Sequence, residues 1–155
     1  MVRLLPKEQI NSTETKKNKI MSTRAFIGYL DHTANTITYT YNHYDGYPSN
    51  LGVALEKFYN SGEKAKEISN VGYISYLSPD TGEWDATHER APYVDKLDDD
   101  LYKAIQQLNR LVNSMHADYA YIWNTRDSKW NTIKVGCNGF EVPGLTSSYV
   151  EKIDS

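Results

Sequence analysis

Tyr39-Thr40-Tyr41-Asn42-His43-Tyr44-Asp45-Gly46-Tyr47-Pro48 packs a strand, a turn and the start of a helix into one short stretch. From Thr36 to Asn42 the chain alternates. Ile37, Tyr39, Tyr41 and then His43 point one way, and Thr36, Thr38, Thr40 and Asn42 the other. The first set is expected to face the core, which carries His43 to the core's rim. Asp45-Gly46 is a turn signal, and Pro48 suits a first helical turn, where its missing N–H has no partner to lose. His43 and Asp45 therefore stand where sheet gives way to helix.

Outward from this stretch, Ala25 to Leu30 is apolar on both faces, as an interior strand requires, and Asp31 to Asn35 makes a polar hairpin turn. A helix is expected over about Ser49 to Tyr59, with Leu51, Ala54, Leu55 and Phe58 on one side and Asn60-Ser61-Gly62 closing it. Glu63 to Ile68 permits a further helical turn. Gly72 to Leu77 reads as a third strand, Glu83 to His88 as a short fourth, and Glu89 to Lys96, which contains Pro92, as a loop. Leu97, Leu101, Ile105, Leu108 and Met115 recur at helical spacing, with Asp98, Asp99 and Asp100 expected in that helix's first turn. A hairpin of Tyr119 to Trp123 and Trp130 to Val135 follows, then a short terminal helix around Ser148 to Ile153. The order predicts an α+β fold: a mostly antiparallel sheet of about five or six strands, with two helices packed on one face. Residues 1–20 are aperiodic and polar and read as a flexible N-terminal tail, with residues 21–155 forming a single α+β domain.

The whole chain carries a net charge of −3, yet residues 1–20 carry +3, leaving −6 on the rest. An acidic domain suits a partner with a basic surface, and direct nucleic-acid binding, which rests on clustered Lys and Arg, is not expected. Thirteen tyrosines supply contact area with polar tips. The single cysteine, Cys137, excludes an internal disulfide and a zinc site built on several thiolates. No apolar run reaches membrane length, so no membrane association is expected. Localisation in a reducing cytoplasm follows.

The candidate chemistry is sparse. His43 and Asp45 are two apart and suit a general acid with an orienting carboxylate, or else a capped structural corner. Arg24, His43, Asp45 and Tyr47 are the candidate ligand-binding residues, since a cation with aromatic rings holds a base and a phosphate. Asp80, Glu83, Asp85, His88, Glu89 and Arg90 match no metal-ligand spacing and read as a solvated hairpin surface. Neither a Gly-rich phosphate loop nor a Gly-x-Ser-x-Gly elbow is present. The acidic run of Asp95, Asp98, Asp99 and Asp100, with Tyr44, is the candidate partner-binding surface. No metal and no cofactor are implied.

Met21-Ser22-Thr23-Arg24, Ile27-Gly28, the block from Tyr41 to Pro48 and Gly52 together resemble a family of small uncharacterised bacteriophage proteins. Members open with Met-Ser-Thr-Arg and carry a Tyr-x-His-x-Asp-Gly-Tyr-Pro block, usually with Trp where this chain has Tyr44. The likeness is strong over Met21 to Tyr59 and weaker beyond. It implies a phage accessory protein in the host cell cytoplasm. The first expectation is a non-catalytic inhibitor of a host protein, anti-CRISPR-like or otherwise directed against defence. The alternatives are a binder that sequesters a nucleotide signal and a hydrolase using His43 and Asp45. A homodimer through the tyrosine faces is a further expectation.

Overall fold

The structure, a computed structural model, describes residues 2–4, 22–136 and 139–140. The chain runs β1 (Val2–Leu4), β2 (Ala25–Asp31), β3 (Thr36–Asn42), a π-helical turn (Pro48–Gly52) leading into α1 (Val53–Phe58), then α2 (Gly62–Ser69). Next come β4 (Tyr73–Ile74), β5 (Tyr76–Leu77), β6 (Trp84–Ala86), β7 (Tyr93–Lys96), α3 (Leu101–Ser114), β8 (Tyr119–Asn124), β9 (Lys129–Gly136) and β10 (Gly139–Phe140). Residues 5–20, Cys137 and the expected helix at Ser148 to Ile153 lie outside the described residues. Of the segment read as a tail, Val2–Leu4 pairs in parallel with β6.

The α+β class and the mostly antiparallel main sheet are as the sequence leads one to expect. Its order is β10-β9-β8-β2-β3-β4, with β7 also on β3, and β1-β6-β5 form a second, small sheet. The two hairpins β2–β3 and β8–β9 are antiparallel, but they join through a parallel β2–β8 pair at the centre. Both central strands are buried on both sides.

The helices are divided between the two faces instead of sharing one. Phe26, Leu30, Ile37, Tyr39, Ala120 and Ile122 pack with Ala104, Leu108 and Val112 of α3. Ala25, Ile27, Tyr121 and Trp123 pack with Leu51, Ala54 and Leu55 around α1 and with Ala65 and Ile68 of α2. The reason shows in β3, where Thr40 and Asn42, on the side expected to meet water, are fully buried. Thr40 Oγ1 donates to Ile68 O (3.1 Å) and accepts from Gly72 N (2.9 Å), so a polar residue is buried with its hydrogen bonds made.

Four other elements depart from the pattern. Ser61 begins α2 rather than ending α1: its side chain accepts from Lys64 N. The strand expected over Gly72 to Leu77 changes sheets at buried Ser75, which donates to Asp85 O (2.7 Å) and accepts from Tyr44 N (2.9 Å). Tyr93–Lys96, expected as loop, is a strand paired antiparallel with β3, with Pro92 just outside its end. Tyr39 holds it, stacking on Tyr93 (5.0 Å) and donating to Asp95 Oδ2 (2.8 Å). Finally, α3 starts at Leu101, so the three aspartates precede its first turn, and Asp100 caps it by accepting from Tyr102 N (2.9 Å).

Candidate functional site

The alternation of β3 continues past its end. Ala25 faces Asn42 across the β2–β3 pair, and one step further the same register sets Arg24 opposite His43. On that face α3 covers Ile37 and Tyr39 but leaves Tyr41 and His43 half-buried. Strand β4 brings Tyr73 beside Tyr41, and β7 brings Tyr93 beside Tyr39. The rings then run in contact. Tyr41 meets Tyr73 (centroids 5.7 Å), Tyr73 meets His88 (3.9 Å), His43 meets Tyr44 edge-on (4.4 Å), and the Arg90 guanidinium lies 3.6 Å over Tyr93. The uncovered corner of the sheet is an aromatic shelf with a cation at either end.

The polar groups of the shelf form a chain. The Arg24 guanidinium hydrogen-bonds the Tyr41 hydroxyl, opposing the rise that burial gives that phenol's pKa. Tyr41 Oη lies 2.7 Å from His43 Nδ1. Burial, and then the Arg24 charge, hold the His43 pKa below its ordinary 6.5, so the ring is neutral at pH 7. The Tyr41 oxygen and His43 Nδ1 share this hydrogen bond, and its direction is set by the imidazole tautomer. The arrangement presents a fixed positive charge, a neutral imidazole and several ring faces.

Of the four ligand-binding candidates, the fold brings Arg24 and His43 together and gathers Asp45 and Tyr47 elsewhere. Asp45 is buried, with φ +54°, and its carboxylate meets the Tyr47 hydroxyl, whose pKa is pushed up by burial and then by that charge. Its carbonyl accepts from Asn50 Nδ2 (3.2 Å). Next to it Gly46 donates to Thr23 O (2.8 Å) and accepts from the buried Tyr121 hydroxyl (2.6 Å). These bonds do not make the His43–Asp45 pair that a hydrolase needs.

The acidic candidates have local bonds. Asp95 accepts from Tyr39, Asp98 Oδ1 from Asp100 N (2.8 Å) and Asp99 Oδ1 from Asn35 Nδ2 (3.3 Å). Tyr44 packs on His43.

Tyr73, His88, Arg90 and Tyr93 are shelf residues that pattern reading does not join to the site: Tyr73 and Tyr93 it passes over, and His88 and Arg90 it leaves on a solvated hairpin surface. Each lies in a short strand or a loop, and only the pairing of β4 and β7 with β3 assembles them. Beside the shelf, Val71, Tyr73, Trp84, His88, Glu89 and Arg90 line a slot of about 200 Å³. Among the described residues, no group of three or more His, Cys, Asp or Glu is placed to hold a metal ion, and no helix is long and apolar enough to cross a membrane. Compared with family models, curated proteins and solved structures, the chain matches none.

Proposed function

We propose that the protein is a non-catalytic binder, of the kind a bacteriophage turns against its host, that sequesters a planar anionic ligand of the nucleotide class on the aromatic shelf. The observation that carries this reading is the Arg24–Tyr41–His43 chain, set beside ring faces that α3 leaves uncovered. Aromatic faces stack on a base, and a guanidinium holds a phosphate through charge-assisted hydrogen bonds. The domain is acidic as a whole, but Arg24 and Arg90 set the local sign where the ligand would sit. No catalytic step is proposed, because His43 Nδ1 is taken by Tyr41 and Asp45 by Tyr47.

Titration calorimetry and thermal shift with mononucleotides test this. Arg24→Gln is expected to weaken binding about tenfold or more, the worth of a charged hydrogen bond, while the melting temperature barely moves. Its main-chain bonds to Asp118 remain. A flat thermal shift across the nucleotide panel would sink the reading.

The second reading is inhibition of a host protein with a basic surface. Tyr102 and Val94, exposed at 70% and 62%, favour it, since they lie on either side of Asp98 and Asp99 in the sequence. Here Tyr102→Ala, and not Arg24→Gln, abolishes capture of a host protein. Capture that survives Tyr102→Ala removes this surface from consideration.

A further inference from the structure

We infer that the slot beside the shelf is a base pocket that selects guanine, an inference resting on the shelf's role as a nucleotide site. The slot shares a wall with the shelf: Tyr73 lines it, meets the His88 ring at a tilt (centroids 3.9 Å), and also meets the Tyr41 ring. Its volume of about 200 Å³ is below the roughly 300–1,000 Å³ of a site that encloses a whole drug-sized ligand. It therefore takes one ring system and leaves the rest of the molecule outside. Trp84, Tyr73 and His88 supply the aromatic lining that such a ring needs.

Glu89 decides which ring. It is exposed at the mouth of the slot and has no hydrogen bond or ion pair with another described residue. The neighbouring Arg90 is committed, lying across Tyr93 and donating to Ala91 O (2.6 Å). An ionised carboxylate only accepts, and two adjacent N–H groups match its two oxygens. Guanine presents that pair on one edge, at N1–H and the N2 amino group. Adenine and cytosine set one amino group beside a ring acceptor, and uracil sets one N–H between two carbonyls, so each turns at least one acceptor toward the carboxylate. With guanine seated in the slot, the phosphate lies out over the shelf, on the side where Tyr41 is bonded to Arg24.

The full chain is titrated calorimetrically with GMP, AMP, CMP and UMP. GMP is expected to bind about tenfold or more tightly than the others, the scale of a good bidentate contact to a base edge. Glu89→Ala is expected to level the four while leaving the melting temperature unchanged, because the side chain it removes is exposed. Equal affinity of the wild type for all four, or a GMP preference that survives Glu89→Ala, overturns the base pocket and leaves the shelf reading standing. Binding of none of the four overturns both.

Discussion

His43 and Asp45 are separated by one residue and live in different surroundings. The Asp45 corner is closed on every side: a left-handed backbone, a Tyr47 hydroxyl on its carboxylate, Asn50 on its carbonyl, and Gly46 tied to both Thr23 and Tyr121. The His43 ring looks across an uncovered sheet corner, bonded to Tyr41 and with a cation nearby, while its backbone N–H donates to Ile74 O (2.9 Å). The first arrangement has used up its polar groups inside the molecule. The second still has an imidazole nitrogen and ring faces to offer. A shared motif in sequence is thus divided by the fold into a part that holds the corner and a part left half-buried beside the shelf.

The largest expected effect tests whether the shelf depends on its rear support. Gly72 has φ +96°, and a Cβ there would stand 2.0 Å from Arg90 O and 2.8 Å from Ala91 O. Neither contact can be relieved by rotating a side chain, so the 90–91 backbone must move. Gly72→Ala is expected to cost about 3 kcal/mol or more, from strain and overpacking together. It should also lift Arg90 from Tyr93 and weaken the shelf. A chemical-denaturation midpoint equal to that of the wild type would show that this crossing is not tight.

Next in size is a change confined to the closed corner. Tyr121 is fully buried, and its hydroxyl donates to Gly46 O at 2.6 Å. Tyr121→Phe leaves that carbonyl short of a donor and is expected to cost about 1–3 kcal/mol. For a chain of this size that is a few degrees of melting temperature, roughly 2–4 °C per kcal/mol. Nucleotide affinity should be untouched. A variant that keeps its melting temperature but loses affinity would reverse the roles given to the two regions.

How far the fold was legible follows from the same contrast. Long periodic elements could be read: β2 and β3, the helix through Leu108, and the Tyr119–Trp130 hairpin. The placement of the helices could not. Thr40 and Asn42 look like a solvent face, and only the pairing of Thr40 with Ile68 O and Gly72 N lets that side be buried. Strand β7 was hidden because Tyr93–Lys96 has one β-branched residue and follows a proline; its place comes from Tyr39, far away in sequence. Of the site, Arg24 and His43 were legible as one set of chemistry with Asp45 and Tyr47, but the register that parts the two pairs was not. The register across β2 and β3 brings Arg24 and His43 together, and Tyr73, His88 and Arg90 join only when the short strands dock.

The smallest effect sharpens the contrast most, because binding and stability should move in opposite directions. His43 in the folded protein has its pKa held below 6.5 by burial and then by Arg24. The unfolded chain therefore takes up this proton at higher pH than the folded one. Stability is fully present above the unfolded value and is lost as pH falls from there toward the lower folded value. Denaturation at about pH 7.5 and about pH 5.5 should show this loss, reduced in His43→Asn. An anionic ligand reverses the sign. A protonated imidazole beside Arg24 adds to the positive charge it meets, so a bound phosphate raises the His43 pKa and affinity increases as the solution is acidified. If wild type and His43→Asn show the same pH dependence in both measurements, His43 belongs with the closed corner after all, and the division between the two regions fails.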